Sequence, residues 1–221
     1  MNWMAIHDVL LDHFGPQHWW PGDSSFEVMV GAVLTQNTAW TQVERAIAAL
    51  KARHALSATA ILALPDTELA ALIRPAGYFN VKARRLKALC QFLLEQGVAN
   101  APERLSEHAP LAELRSRLLA VHGVGEETAD SILLYALDLP SFVVDAYTRR
   151  SFTRLGILTG KESYAFIQSR FHAALPTDRR LFNAFHALLV ALGKHYCRPK
   201  PRCAACPLLA LCPHAKTLPL R

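Results

Sequence analysis

This sequence has few strand signals, no long apolar run, and almost no cysteine outside one short segment. No stretch reaches the ~18 to 20 consecutive apolar residues needed to cross a bilayer, so no membrane-spanning helix is expected. The N-terminus, MNWMAIHDVLLDHFG, has no basic leader and carries Asp8 and Asp12 inside its apolar run, so it is not expected to be a secretory signal. No basic amphipathic stretch stands apart from the rest, which argues against a membrane surface as partner. Short alternating runs of β-branched and polar residues are nearly missing, and an all-α fold is expected in their place. Internal repeats and low-complexity tracts are absent. The five cysteines among 221 residues do not suit the disulfide framework of a small secreted domain. A reducing, cytoplasmic setting is the expectation.

What is present is apolar, basic and helical in period. Hydrophobic residues make up 52% of the chain, enough to core one large domain or two small ones. The net charge of +6 and a pI near 9.2 point to a polyanion, with nucleic acid first, because neutralising phosphates requires a surplus of Lys and Arg. Apolar residues recur at helical spacing over 3–14, from Phe26 to Leu34, and over 41–54, 57–64, 66–73, 81–96, 111–121, 126–137, 145–155, 161–173 and 178–194. Ser24 or Ser25 is the expected cap of the second helix. The segment 97–110, with Pro102 and Pro110, is expected to be a loop.

Four of the five cysteines lie in the pattern Cys197-x5-Cys203-x2-Cys206-x5-Cys212. The loop around them is rich in proline and basic residues (Arg198, Pro199, Lys200, Pro201, Arg202, Pro207) and cannot form a core of its own. Clustered thiolates suit a [4Fe–4S] cubane or a structural zinc. Structural zinc sites usually pair two short Cys-x2-Cys knuckles, and a single such pair favours the cubane. The fifth cysteine, Cys90, sits in an apolar run and is expected in the core.

A second motif runs from Leu118 to Ala129: helix, then Gly123-Val124-Gly125, then helix. Two glycines permit positive φ and a close backbone approach, and successive N–H groups at the start of the following helix suit a phosphate diester. An ordinary helical corner with a glycine cap would show the same residues.

Taken together, Gly31-Ala32-Val33-Leu34-Thr35-Gln36-Asn37-Thr38, the hairpin followed by Phe142-Val143-Val144-Asp145, and the cysteine loop resemble the helix-hairpin-helix (HhH-GPD) DNA glycosylases of the endonuclease III type. The resemblance covers about residues 20 to 213. It implies two helical lobes with a central cleft: a six-helix lobe at 25–139 containing the hairpin, and a second lobe of 1–24 plus 140–221 carrying a [4Fe–4S] loop at 197–212. The family's first cysteine gap is usually six residues, whereas Cys197 to Cys203 leaves five.

The resemblance assigns roles residue by residue. Asp145 matches the essential aspartate, whose carboxylate stabilises positive charge on the sugar and orients water; on sequence alone the same residue is a good helix N-cap. Glu127 stands where bifunctional members carry the lysine that forms a Schiff base, and a carboxylate cannot do so. A monofunctional, base-excising hydrolase is therefore expected. Lys82, Lys161 and Lys194 are the conceivable substitute amines. Gln36 and Tyr78 match positions that wedge into DNA once the target base has flipped out of the stack. Trp19, Trp20 and Trp40 resemble the aromatic surroundings of the 3-methyladenine branch, where stacking and cation–π attraction favour alkylated, cationic bases. Uracil or thymine opposite guanine, oxidised pyrimidines, a bifunctional lyase and an inactive DNA-binding relative are the alternatives. The expected partner is double-stranded DNA holding a damaged base, and a monomer is expected.

Overall fold

The computed structural model describes residues 2–217. In chain order the α-helices are α1 (Trp3–Phe14), α2 (Ser25–Leu34), α3 (Trp40–Ala52), α4 (Ala58–Ala63), α5 (Asp66–Leu72), α6 (Phe79–Glu95), α7 (Leu111–Ala120), α8 (Glu126–Ser131), α9 (Ala146–Arg154), α10 (Tyr164–Ala174), α11 (Arg179–His195) and α12 (Pro213–Lys216). No strand occurs among the described residues, so the all-α expectation holds. No helix among them is long and apolar enough to cross a membrane.

Side-chain caps fix several helix starts. Asn2, Ser24, Ser57, Asp145, Ser163 and Asp178 each accept a hydrogen bond from the first turn of the helix they precede. Three local departures from the periodicity have physical causes. The expected loop 97–110 holds a 3-10 turn at Pro102–Glu107, opened by a proline that lacks the N–H such a turn would leave unused. The helix expected over 126–137 widens to a π turn at Ile132–Ala136, closed by Leu137 N donating to Ile132 O at 3.0 Å. The helix expected from 161 starts at Tyr164, because the Glu162 carboxylate turns back to accept from Thr159 N and Gly160 N.

The chain divides into two compact units: Pro21–Ser141, and the chain up to Trp20 together with the chain from Phe142. The Pro21–Ser141 unit is built on α2, which is buried over almost its whole length, with Met29, Val30, Val33 and Leu34 fully enclosed. Packing around it leaves Val43, Leu50, Ile61, Leu69, Leu86 and Leu118 without solvent exposure. Full burial of side chains of this size stabilises by about 1.5–3 kcal/mol each relative to exposure. Cys90 lies in this core, and burial pushes its thiol up to about 12. The other unit has an aromatic core. Phe142 stacks on Phe171 at 3.7 Å between centroids, and Phe152, Phe182 and Phe185 are fully buried beside them.

Candidate functional site

The hairpin joins α7 to α8 within the Pro21–Ser141 unit. Val121 N donates to Leu118 O, and Val124 N donates to Val121 O, so the chain turns tightly at Gly123. The two glycines are not equivalent, which corrects the expectation that both supply positive φ. Gly123 has φ +83°, and a Cβ there would lie 2.2 Å from Arg85 Cγ. Gly125 has φ −93°, which any residue adopts, and open space where a Cβ would be. Gly123 is therefore required by backbone and packing together, while Gly125 leaves the approach to the start of α8 clear. Gly123→Ala is expected to destabilise the protein by about 2–4 kcal/mol, from a left-handed alanine plus a collision with the Arg85 stem. Gly125→Ala should cost about 1 kcal/mol or less, the difference between glycine and alanine at an N-cap. Urea unfolding of both variants reads the asymmetry; equal losses would contradict it. The hairpin is braced from behind by Arg115, which makes a two-pronged contact at 2.9 and 3.0 Å with the fully buried carboxylate of Asp130, itself bonded by Ser141 Oγ.

Gln36 lies just beyond α2, and its side chain is engaged by the hairpin. Its Nε2 donates to Gly123 O at 3.0 Å and to Thr128 Oγ1 at 2.9 Å. Its Oε1 accepts from Arg85 Nη1. Lys82 stands beneath the same region, 1% exposed, and its Nζ donates to Leu34 O, Ala76 O and Thr38 Oγ1. Burial, then the nearby Arg85 charge, bring its pKa down to about 8. A pKa near 8 suits a nucleophile, but this amine is enclosed and bonded to three acceptors. It acts as a strut that ties the end of α2 to the two loops carrying Thr38 and Ala76. Of the other conceivable amines, Lys161 is exposed, and Lys194 lies over Trp19. Tyr78 sits at the start of α6 with φ +46° and is 72% exposed, the most exposed large apolar side chain of the described residues. Glu127 is exposed on the first turn of α8. Trp40 opens α3, half-buried, with Nε1 donating to Glu44 Oε1 at 2.9 Å.

In the unit formed by the two ends of the chain, Asp145 precedes α9. Oδ1 accepts from Thr148 N at 2.7 Å, so the N-cap role read from sequence is real. Oδ2 lies 3.5 Å from His186 Nε2, with side-chain exposures of 11% and 5%. Burial alone would raise the pKa of this carboxyl; the hydrogen bond and charge of His186, with the Thr148 N–H, outweigh it and hold the group below the usual aspartate range. Asp145 is thus an ionised carboxylate with one oxygen fixed by the backbone. The extended link before it is held by α10: Phe142 N donates to His172 Nε2, Gln168 Nε2 to Phe142 O, and Val144 N to the Tyr164 hydroxyl. His186 was not expected from sequence. It comes from the middle of α11, which α9 approaches so closely that a Cβ on Gly193 would lie 2.1 Å from the Tyr147 ring. Gly193 within an apolar helix was the one local hint of a close crossing.

Trp19 and Trp20 lie in the loop after α1, with ring centroids 5.6 Å apart. Lys194 Nζ is 5.2 Å from the Trp19 ring centroid.

Cys197, Cys203, Cys206 and Cys212 are half-buried free thiols on one partly exposed loop. Two arginines of α9 hold it: Arg150 Nε donates to Cys197 O at 2.6 Å, and Arg154 donates to Arg198 O, Pro199 O and Cys197 Sγ. Burial, then repulsion from its neighbours in the loop, raises the Cys203 thiol; burial first and the other three cysteines further down raise Cys206 to about 11. The four sulfurs are therefore within electrostatic reach of one another. They are not gathered into a ligand shell: among the described residues no three His, Cys, Asp or Glu side chains stand together as a metal group. Four thiolates repel, and a bound cation is what offsets that repulsion. The donor set itself, four thiols on one loop with no disulfide, is the soft sulfur chemistry an iron–sulfur cluster takes.

Residues 30–176 match the HhH-GPD superfamily base excision DNA repair proteins. The chain is 47% identical over 207 residues to a Methanocaldococcus jannaschii protein whose name provisionally makes it a DNA repair glycosylase, covering 94% of each. The H. pylori 3-methyladenine DNA glycosylase, solved with 1,N6-ethenoadenine, is 28% identical, with a TM-score of 0.76 over 88% of this chain and 98% of that one. Endonuclease III in a non-covalent complex with DNA shares the fold at 24% identity, with a TM-score of 0.83 over 96% of this chain and 94% of that one. With its hairpin at Gly123 and the aspartate at 145 inside the matched stretch, this chain belongs to the HhH-GPD superfamily of base excision DNA repair proteins.

Proposed function

We propose that this protein is a monofunctional DNA glycosylase that hydrolyses the N-glycosidic bond of alkylated, 3-methyladenine-like bases in double-stranded DNA. The observation that carries the proposal is the state of Asp145: largely shielded with 11% of its side chain still exposed, ionised, and fixed at Oδ1 by Thr148 N. As the glycosidic bond lengthens, positive charge builds on the deoxyribose, and a fixed carboxylate stabilises it without reorganising. The same group orients water and takes its proton as the C–O bond forms. The departing base leaves with the bonding electrons, so a base that is already cationic departs easily.

Hydrolysis, and not imine formation, is supported by Glu127 in the lysine position and by the enclosure of Lys82. An alkylated substrate is supported by the Trp19 ring, which already accommodates an ammonium group at 5.2 Å, and by the likeness to the H. pylori enzyme. Tyr78, exposed on a left-handed residue, is the side chain best placed to enter the duplex. The backbone of Gly123-Val124-Gly125 is the proposed contact for a phosphate.

The four loop cysteines are proposed to hold a [4Fe–4S] cluster, with structural zinc the alternative. When bound, the cluster ties the basic loop 197–212 into one shape. A yellow-brown protein with stoichiometric iron is expected; a colourless protein holding zinc overturns the cluster assignment. The activity is tested by release of base from methylated DNA. Free 3-methyladenine without strand scission is expected, and no release from any alkylated, deaminated or oxidised duplex would leave only a DNA-binding role.

A further inference from the structure

Two neighbouring cations meet no anion among the described residues. Lys82 and Arg85 are neighbours on α6, and the acceptors they reach are neutral: two carbonyls and a hydroxyl for Lys82, the Gln36 amide for Arg85. By contrast, Lys51, Lys87 and Arg115 of the same unit each meet a carboxylate. A buried and a half-buried like charge without a counter-ion are costly, and the cost is offset when an anion arrives. Arg85 is the one able to meet it. Its stem lies against Gly123, and among the described residues its side chain bonds through Nη1 to Gln36 Oε1 while its buried Nε meets no acceptor. A guanidinium with spare donors in fork geometry is suited to a phosphate diester.

The Gln36 amide is meanwhile stored. Both of its polar atoms are bonded to the hairpin or to Arg85, so it cannot enter DNA without giving those contacts up. We propose that Arg85 is a relay between backbone grip and base extrusion: it binds the DNA phosphate held by the hairpin, and in doing so lets go of Gln36, which then fills the space left by the flipped base. The relay rests on the glycosylase reading above and extends it. No bond is made or broken beyond the exchange of one hydrogen-bond acceptor for another. Backbone docking then precedes insertion, so Gln36 is held back from an undocked duplex.

The test is a double-mutant cycle on binding. Arg85→Met, Gln36→Ala and the double variant are titrated by fluorescence anisotropy with an undamaged duplex and with one carrying a tetrahydrofuran abasic analogue, across a range of salt. If Arg85 reaches a phosphate, Arg85→Met lowers the salt slope by about one and weakens binding to the undamaged duplex by about 5- to 100-fold. If it must first release Gln36, Arg85→Met costs more in the Gln36→Ala background than in wild type, by about fivefold or more on the abasic duplex, because there the phosphate contact carries no exchange penalty. An unchanged salt slope, or losses equal within about twofold in the two backgrounds, overturns the relay. Should Arg85→Met fail to fold, Arg85→Lys serves: it should keep the wild-type salt slope while its coupling to Gln36 shrinks, and full retention of the coupling would refute the role of the fork. A wild-type protein with no preference for the abasic duplex removes both the glycosylase reading and the relay; a clear preference without coupling removes the relay alone.

Discussion

Asp145→Asn should abolish base release while leaving the protein folded. The carboxylate has two duties, and this substitution separates them. Asparagine caps a helix about as well as aspartate, so the bond from Thr148 N to the side-chain oxygen survives and the cap's own contribution should be kept to within about 0.5 kcal/mol. What goes is the negative charge, which in the proposed mechanism stabilises the sugar cation and accepts the proton of water. General-base and charge-stabilising groups of this kind contribute about 10²- to 10⁴-fold, and a loss of that size is expected in single-turnover release from methylated DNA. Asp145→Ala should lose the same activity and also about 1 kcal/mol of stability with the cap. If Asp145→Asn keeps near-wild-type release, Asp145 is a cap only. The lowered pKa sets the pH dependence. A group whose folded pKa is depressed contributes stability above its unfolded value, near 3.8, and loses it as pH falls through the lower folded value. The contribution of Asp145 to folding is therefore complete at neutral pH and disappears only in acid below that point.

The second large effect is a gain of function. Glu127→Lys puts an amine on the exposed first turn of α8, at the position that the resemblance matches to the lysine of bifunctional members. Wild type has no accessible amine there, and Lys82, whose pKa suits attack, is enclosed by Leu34 O, Ala76 O and Thr38 Oγ1. Borohydride trapping on abasic DNA should give no adduct with wild type and a covalent adduct with Glu127→Lys. A positive side chain at a helix N-terminus works against the helix dipole, so the variant should be slightly less stable. That dipole also favours the neutral amine the reaction needs. A strong wild-type adduct would refute the monofunctional assignment. Failure of Glu127→Lys to trap, with binding to abasic DNA intact, would mean that position 127 does not face the sugar.

Much of this was legible one residue at a time because the underlying physics is local. Apolar spacing of helical period identified α2, α3, α6 and α11. Ser24 and Asp145 marked helix starts through their oxygens, and Gly123 marked the turn. Four cysteines crowded into 197–212 announced sulfur chemistry whatever surrounds them. Where local preference competed with neighbours, the expectation slipped: Gly125 needs no positive φ, and the helix after it widens to a π turn.

The sequence by itself determined the helices, the hairpin, the grouping of four thiols on one loop and the presence of a carboxylate at 127, since each depends on groups within a few residues of one another. Tertiary structure alone decided that His186 stands at the second oxygen of Asp145, that Lys82 is a buried strut, and that Gln36 is stored by Arg85 against Gly123 and Thr128. Those partners lie far apart along the chain. No propensity or period encodes their meeting, which arises only when helices pack closely enough, as α9 and α11 do over Gly193, for distant side chains to share one site.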